Sequence, residues 1–177
     1  VSHVEKLQAL GACKESIEFA AQFSHAQEAW ENNTRPDWAV WLLARLGGEH
    51  KRMAVRLAAD FAERVVHLAG SGRSAAEAAI TAARAWADNP CVETRLAALR
   101  AARVAAATAH AAAYAAFAAA YTATAADAAA YAAATAARVA YDAAYTAATD
   151  SGAEKAWQNS RIREVYPNCP IEGEEEE

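Results

Sequence analysis

Between Glu49 and Ala69, apolar side chains return at Met53, Leu57, Phe61, Val65 and Leu68, that is at i, i+4, i+8, i+12 and i+15, with Lys51, Arg52, Asp60 and Glu63 off the stripe. This is the 3.6-residue period of an amphipathic helix, and the off-stripe charges read as its solvated face. Upstream, Ile17, Phe19, Ala20 and Phe23 fall at helical spacing. Ser24 and Gln27 form a capping-box pattern opening a helix through Trp30. The stretch Asn32-Asn33-Thr34-Arg35-Pro36 breaks the chain, Asp37 then reads as the N-cap of WAVWLLARL, and Gly47-Gly48 ends that helix. Ser74 and Glu77 form a second capping-box pattern for a helix closed by Asp88-Asn89-Pro90, with Pro90 as the first residue of the next helix. Ser151 and Glu154 cap a last helix that Pro167 stops. No run of four or more residues alternates as a half-buried strand does, so the expected fold is all-α: a multi-helix bundle.

From Cys91 to Asp150 there is neither glycine nor proline, and 24 of the 39 residues from 111 to 149 are alanine. One helix of that length would run about 90 Å at 1.5 Å per residue, too long for a compact domain. A reversal is expected at Tyr121–Thr124, where Thr124 and Asp127 repeat the capping pattern, giving a helical hairpin of 91–121 and 125–149. Alanine loses no side-chain entropy in a helix and lets axes approach closely, but it buries little area. Larger anchors must supply most of the apolar burial. Leu96, Leu99, Val104, Tyr114, Phe117 and Tyr121 form one stripe, and Tyr141 and Tyr145 a second. The expected organisation is one all-α domain over 1–167, with N-terminal helices in 1–88, the Ala-rich hairpin at 91–149 and a C-terminal helix at 152–166. A disordered acidic tail, 168–177, follows.

The formal charge of −5 argues against a nucleic-acid binder with a general basic surface and leaves room for a basic protein partner. Cys13, Cys91 and Cys169 are far apart and odd in number, without zinc spacing, which reads as reduced thiols in a cytoplasmic protein. VSHVEKLQAL lacks the basic-then-apolar order of a signal peptide. Arg103, His110, Asp127, Arg138 and Asp142 interrupt the Ala-rich run, so no membrane span is expected.

Signatures of chemistry are absent: no H-E-x-x-H, no phosphate-binding glycine loop, no G-x-S-x-G. Gly70-Ser71-Gly72 reads as a turn between helices. The histidines (His3, His25, His50, His67, His110) are scattered, and no two share a helix face at i, i+4. Arg95, Arg100 and Arg103 read as surface or locally paired cations. No enzyme activity, cofactor or metal is expected. Thr124, Thr135 and Thr146, spaced by eleven residues, lie almost on one line roughly 16.5 Å apart, and resemble the Thr/Ala repeat of alanine-rich helical antifreeze proteins. An ice-binding or structural surface is therefore one alternative function, and a ligand-binding bundle using tyrosines and His110 is another.

The stretch from Leu7 to Gly48 carries a distinctive layout: an L-x-A-L-G-A-C opening, a helix bearing Glu28-Ala29-Trp30, and D-W-x-x-W-L-L-x-x-L from Asp37 to Leu46. Ala85-Trp86-Ala87 before Asn89-Pro90, the Ala/Tyr-rich region and W-x-x-x-R-I-R-E-V from Trp157 to Val165 follow in order. This resembles the Imm-5-like immunity proteins of bacteria and phages. The resemblance implies an all-α protein that binds and occludes a toxin or defence protein without catalysis. Glu28, Trp30, Glu31, Asp37, Trp38 and Trp41 are the candidate partner-binding residues. Trp38 and Trp41, one turn apart beside Leu42 and Leu46, read first as core, whereas an exposed tryptophan would be an interface anchor. Glu28, Glu31, Glu49 and Asp60 are the acids placed to steer a basic toxin. The Ala-rich helices offer a surface for self-association.

Overall fold

The computed structural model describes residues 1–67, 73–108 and 151–171. Among these the chain is all-helical, with eight helices and no strand: α1 His3–Ala9, α2 Lys14–Ala20, α3 Ala26–Asn32, α4 Pro36–Leu46, α5 Gly48–Val65, α6 Arg73–Asp88, α7 Val92–Thr108 and α8 Ser151–Val165. The expected reversal at 121–124, the second hairpin helix, the threonine line, His110 and the Glu run lie outside the described residues.

Helix starts differ from the expected ones for local reasons. Pro36, not Asp37, opens α4, with Arg35 as N-cap. Proline's fixed φ and missing N–H suit the first helical position, so Asp37 falls inside the first turn, where its charge still favours the helix N-terminus. At α3 the N-cap is His25, without a side-chain cap, and Glu28 Oε2 accepts from Ser24 N at 3.2 Å. Gln27 therefore does not complete a box with Ser24. Ser74 lies within α6, and its expected partner Glu77 pairs with Arg73 at 2.7 Å. Helix α7 begins at Val92 rather than Pro90, because the Thr94 hydroxyl accepts from Cys91 N at 3.2 Å. A reciprocal capping box does form at Ser2 and Glu5, another S-x-x-E at the start of α1.

Helix α5 is the centre of the bundle and is buried on two faces. Leu57 and Phe61 join Leu43 and Val40 of α4 and Ile162 of α8 in the main core, while Met53 packs against it. Phe61 is fully buried, with its ring centroid 5.9 Å from that of Trp157 in an edge arrangement. The other face of α5 meets α6 through small side chains: Ala59, Ala62 and Val66 against Ala76 and Ile80, and Val55 against Ala79, Ala83 and Ala87. An alanine seam thus lies between α5 and α6, with α7 packed in turn on α6, whereas most of the 91–149 hairpin in which such a seam is expected lies outside the described residues.

Asp60, expected on a solvated face, is instead partly buried and clamps three helices, while Glu63 is exposed as expected and joins the same cluster of ion pairs. Asp60 accepts from Arg84 of α6 at 2.7 Å and from Arg161 of α8 at 3.0 Å, and Arg84 also donates to Glu63 at 2.7 Å. Arg56 pairs with Asp88 at 2.8 Å, and Arg52 donates to Ala87 O at the end of α6 and pairs with Glu49. Because a sequence stripe shows only which positions are polar, it cannot show that their partners come from other helices.

The Glu63 carboxyl is held below the usual carboxylate range, first by its hydrogen bond from Arg84, with burial opposing. A pKa lowered on folding gives stability that is fully present above the unfolded value and is lost as pH falls through the folded one. Acidification below about pH 4 is therefore expected to remove the Glu63–Arg84 contribution. Comparing Glu63→Gln with wild type in urea melts across the acid range should show a flatter pH dependence in the variant. The difference should stay under ~1 kcal/mol, because the carboxylate is more than half exposed.

Helix α8 buries polar groups among its apolar ones. Glu154 accepts from Arg64 Nε of α5 at 2.7 Å and from Gln158 Nε2 at 3.1 Å, while the Arg64 guanidinium lies 4.3 Å from the Trp157 ring centroid. Gln158 is fully buried, and its Oε1 has no hydrogen-bond partner among the described residues. Removing both groups of an imperfect pair is cheap, whereas stranding one is not. The double variant Glu154→Leu/Gln158→Met is expected to change the unfolding free energy by less than ~1 kcal/mol, and Glu154→Ala alone, which strands the Gln158 amide, to lower it by ~1–3 kcal/mol. Urea denaturation of the two variants measures the contrast.

Candidate functional site

The three candidate tryptophans meet at one place. The short helices α1, α2 and α3 follow one another against the start of α4, sharing a core with it. Between them lies an apolar cleft lined by Phe19, Trp30, Trp38, Trp41, Cys169 and Ile171, among others. Its free volume is about 60 Å³, well below the ~150 Å³ that takes a benzene-sized guest. The cleft has room for the tip of one aliphatic side chain and none for an organic cofactor.

The tryptophans play different parts there. Trp30 is 6 % exposed and donates from Nε1 to Tyr166 O at 3.1 Å, with its ring edge-on to that of Tyr166 at 6.4 Å. It is a core residue that holds the C-terminal segment, not a free anchor. Trp41 is half-buried and packs on the main core. Trp38 is half-buried too, and its ring lies 5.7 Å from Phe19 of α2. Its other contact is at the surface: the Arg35 guanidinium sits 4.7 Å from the indole centroid and donates to both carboxylate oxygens of Asp37, at 2.8 and 2.6 Å. Trp38 and Trp41 thus both line the cleft, and Asp37 is tied to Trp38 through Arg35.

The acids separate into two groups. Glu28 and Glu31 are exposed on α3, where Glu31 accepts from Gln27 Nε2 at 2.7 Å. Glu49 and Asp60, expected to steer a partner, lie in the clamp around α5 and are already paired with Arg52, Arg84 and Arg161. Among the cations singled out in the sequence, Arg95 and Arg100 are exposed on α7.

The C-terminal segment is the part of the site that sequence reasoning missed. Residues 168–171, expected in a disordered tail, are packed on α1 and α3, with Cys169 and Ile171 buried. Gln27 Nε2 donates to Pro167 O at 3.1 Å and its Oε1 accepts from Cys169 N at 2.6 Å, while Lys6 Nζ donates to Ile171 O at 3.1 Å. Tyr166, whose phenol is pushed up mainly by burial, shares a hydrogen bond with His50 Nδ1. The one signal in the sequence was the apolar pair Cys169 and Ile171 interrupting an otherwise polar tail.

Among the described residues, no group of three His, Cys, Asp or Glu side chains is placed to hold a metal ion, and no helix is long and apolar enough to cross a membrane. The chain matches no family model, no curated protein and no solved structure.

Proposed function

We propose that this chain is a non-enzymatic helical protein-interaction module of the immunity type, which binds and occludes a toxin or a defence protein. The observation that carries this reading is the meeting of Trp38 and Trp41 in a cleft that is apolar, flanked at Trp38 by the Arg35–Asp37 pair and too small for a cofactor. Such a site offers an aromatic anchor with a polar border, the composition in which binding energy concentrates at protein interfaces. The Leu7–Gly48 layout that resembles Imm-5-like immunity proteins points the same way, since these are the residues that build the cleft.

The test is affinity capture of the tagged chain from its native host, read by mass spectrometry. One stoichiometric partner, whose toxic or defensive activity the purified chain suppresses, is the expected result. Turnover of a substrate by the pure protein, or a captured partner whose activity the chain leaves untouched, would sink the reading.

A further inference from the structure

The cleft is already partly filled, and by this chain. Cys169 and Ile171 line it together with Phe19, Trp38 and Trp41, and both are buried although Pro167 and Asn168, just before them, are exposed. Residues 166–171 follow α8 directly and belong to no helix. Pro167 cannot continue α8, because it lacks an N–H and its ring crowds the preceding turn. Pro170 in turn biases Cys169 away from helical angles. The two prolines make a stiff strap whose apolar residues, 169 and 171, are the ones at the cleft.

The bonds that hold the strap read backbone rather than side chains. Trp30 Nε1 donates to Tyr166 O, the Gln27 amide donates to Pro167 O and accepts from Cys169 N, and Lys6 Nζ donates to Ile171 O. Another segment that follows the same course can make the same four bonds. Helix α8 is anchored separately, through Ile162 in the main core and through Glu154 and Arg161, which pair with Arg64 and Asp60 of α5. The strap can therefore lift with α8 in place, and a segment with few buried side chains opens more readily than a core helix. With the strap seated the free volume is about 60 Å³. Lifting it adds the room of a cysteine and an isoleucine side chain.

We infer that residues 166–171 are an autoinhibitory plug: the strap lifts from the cleft while the helices stay folded, and a partner's proline-stiffened segment, with apolar side chains two residues apart, takes its place on the same backbone clips. This rests on the interaction-module reading and adds the regulation of its cleft and the chemistry of the partner segment. The apparent affinity for such a segment is the intrinsic one reduced by the fraction of chains whose strap is lifted. The plug thus sets a threshold that weakly fitting apolar segments do not pass.

The first test needs no substitution. Cys169 is a buried thiol and Cys13 an exposed one, so a thiol reagent added to the wild-type chain should modify Cys13 at once and Cys169 only through openings of the strap. Below the unfolding transition the Cys169 rate is expected to change little with urea, because lifting six residues exposes little surface. A rate that climbs with urea as steeply as global unfolding would overturn the inference. The second test adds a synthetic peptide with the sequence of residues 166–171, alanine replacing its cysteine, to full-length wild type and to Ile171→Ser. Binding is read from the indole N–H resonances of Trp38 and Trp41. A tethered strap competes at an effective concentration in the millimolar range, so the peptide is expected to bind Ile171→Ser at least ~10-fold more tightly than wild type. The same peptide with serine for isoleucine should bind neither chain. Equal affinity for the two chains, or no shift in either, contradicts the plug. Should Ile171→Ser lose its helical circular dichroism, the labelling of the wild-type chain decides alone. A native partner captured and inhibited despite a negative result would leave the interaction-module reading standing, so the two failures are distinguishable.

Discussion

Phe61→Ala is expected to lower the unfolding free energy by about 3–5 kcal/mol, the usual cost of emptying an aromatic site in a well-packed core. Phe61 is fully buried where α5 meets α4 and α8, and its ring abuts Trp157. Because single domains are commonly stable by only ~5–15 kcal/mol, urea denaturation should show a midpoint shifted far towards zero. Val92→Ala is the control. Val92 is 57 % exposed on α7, and its loss should change stability by less than ~0.5 kcal/mol. A small effect at Phe61 would mean that α8 does not dock on α5 as described, which would also undo the Asp60 clamp.

Trp38→Ala is expected to weaken binding of the captured partner by at least ~2 kcal/mol, roughly thirty-fold, as truncation of an aromatic hot spot does. Trp38 has one side against Phe19 and the other under Arg35, so its removal opens the cleft and strips the guanidinium of its seat. Part of the damage falls on α2 packing, and Trp38→Phe separates the two effects. Phenylalanine keeps an aromatic wall beside Phe19, and should retain stability while recovering a share of the affinity. Trp30→Phe should behave differently, since Trp30 is buried and bonded to Tyr166 O. Its main cost is one hydrogen bond, about 0.5–1.5 kcal/mol of stability. Circular dichroism and calorimetric titration of the three variants distinguish these outcomes.

The contrast between Trp38 and Trp30 shows where sequence reading stops. Helix content and most helix positions were legible because the apolar period and the breaks at Asn32–Pro36, Gly47-Gly48 and Asp88–Pro90 are local properties. Caps were legible only in part. Pro36 outcompeted Asp37 for the start of α4, and Gln27, expected to serve its own helix, is taken by the backbone of Pro167 and Cys169. The site was legible as a list of tryptophans and acids but not as a place. Trp30, Trp38 and Trp41 look alike on a helical wheel. The difference between a core indole and a half-buried one is made by Phe19, Arg35 and the C-terminal segment, all in other elements or loops. The Asp60 clamp was hidden for the same reason, since its arginines come from α6 and α8.

Stoichiometric occlusion through the tryptophan cleft is tested most directly by titrating the captured partner's activity with wild-type protein and with folded Trp38→Ala. A sharp end point at one chain per partner is predicted for wild type, and a shallow curve displaced to higher concentration for Trp38→Ala. Identical curves, or suppression at far less than one equivalent of chain, would contradict occlusion at this cleft.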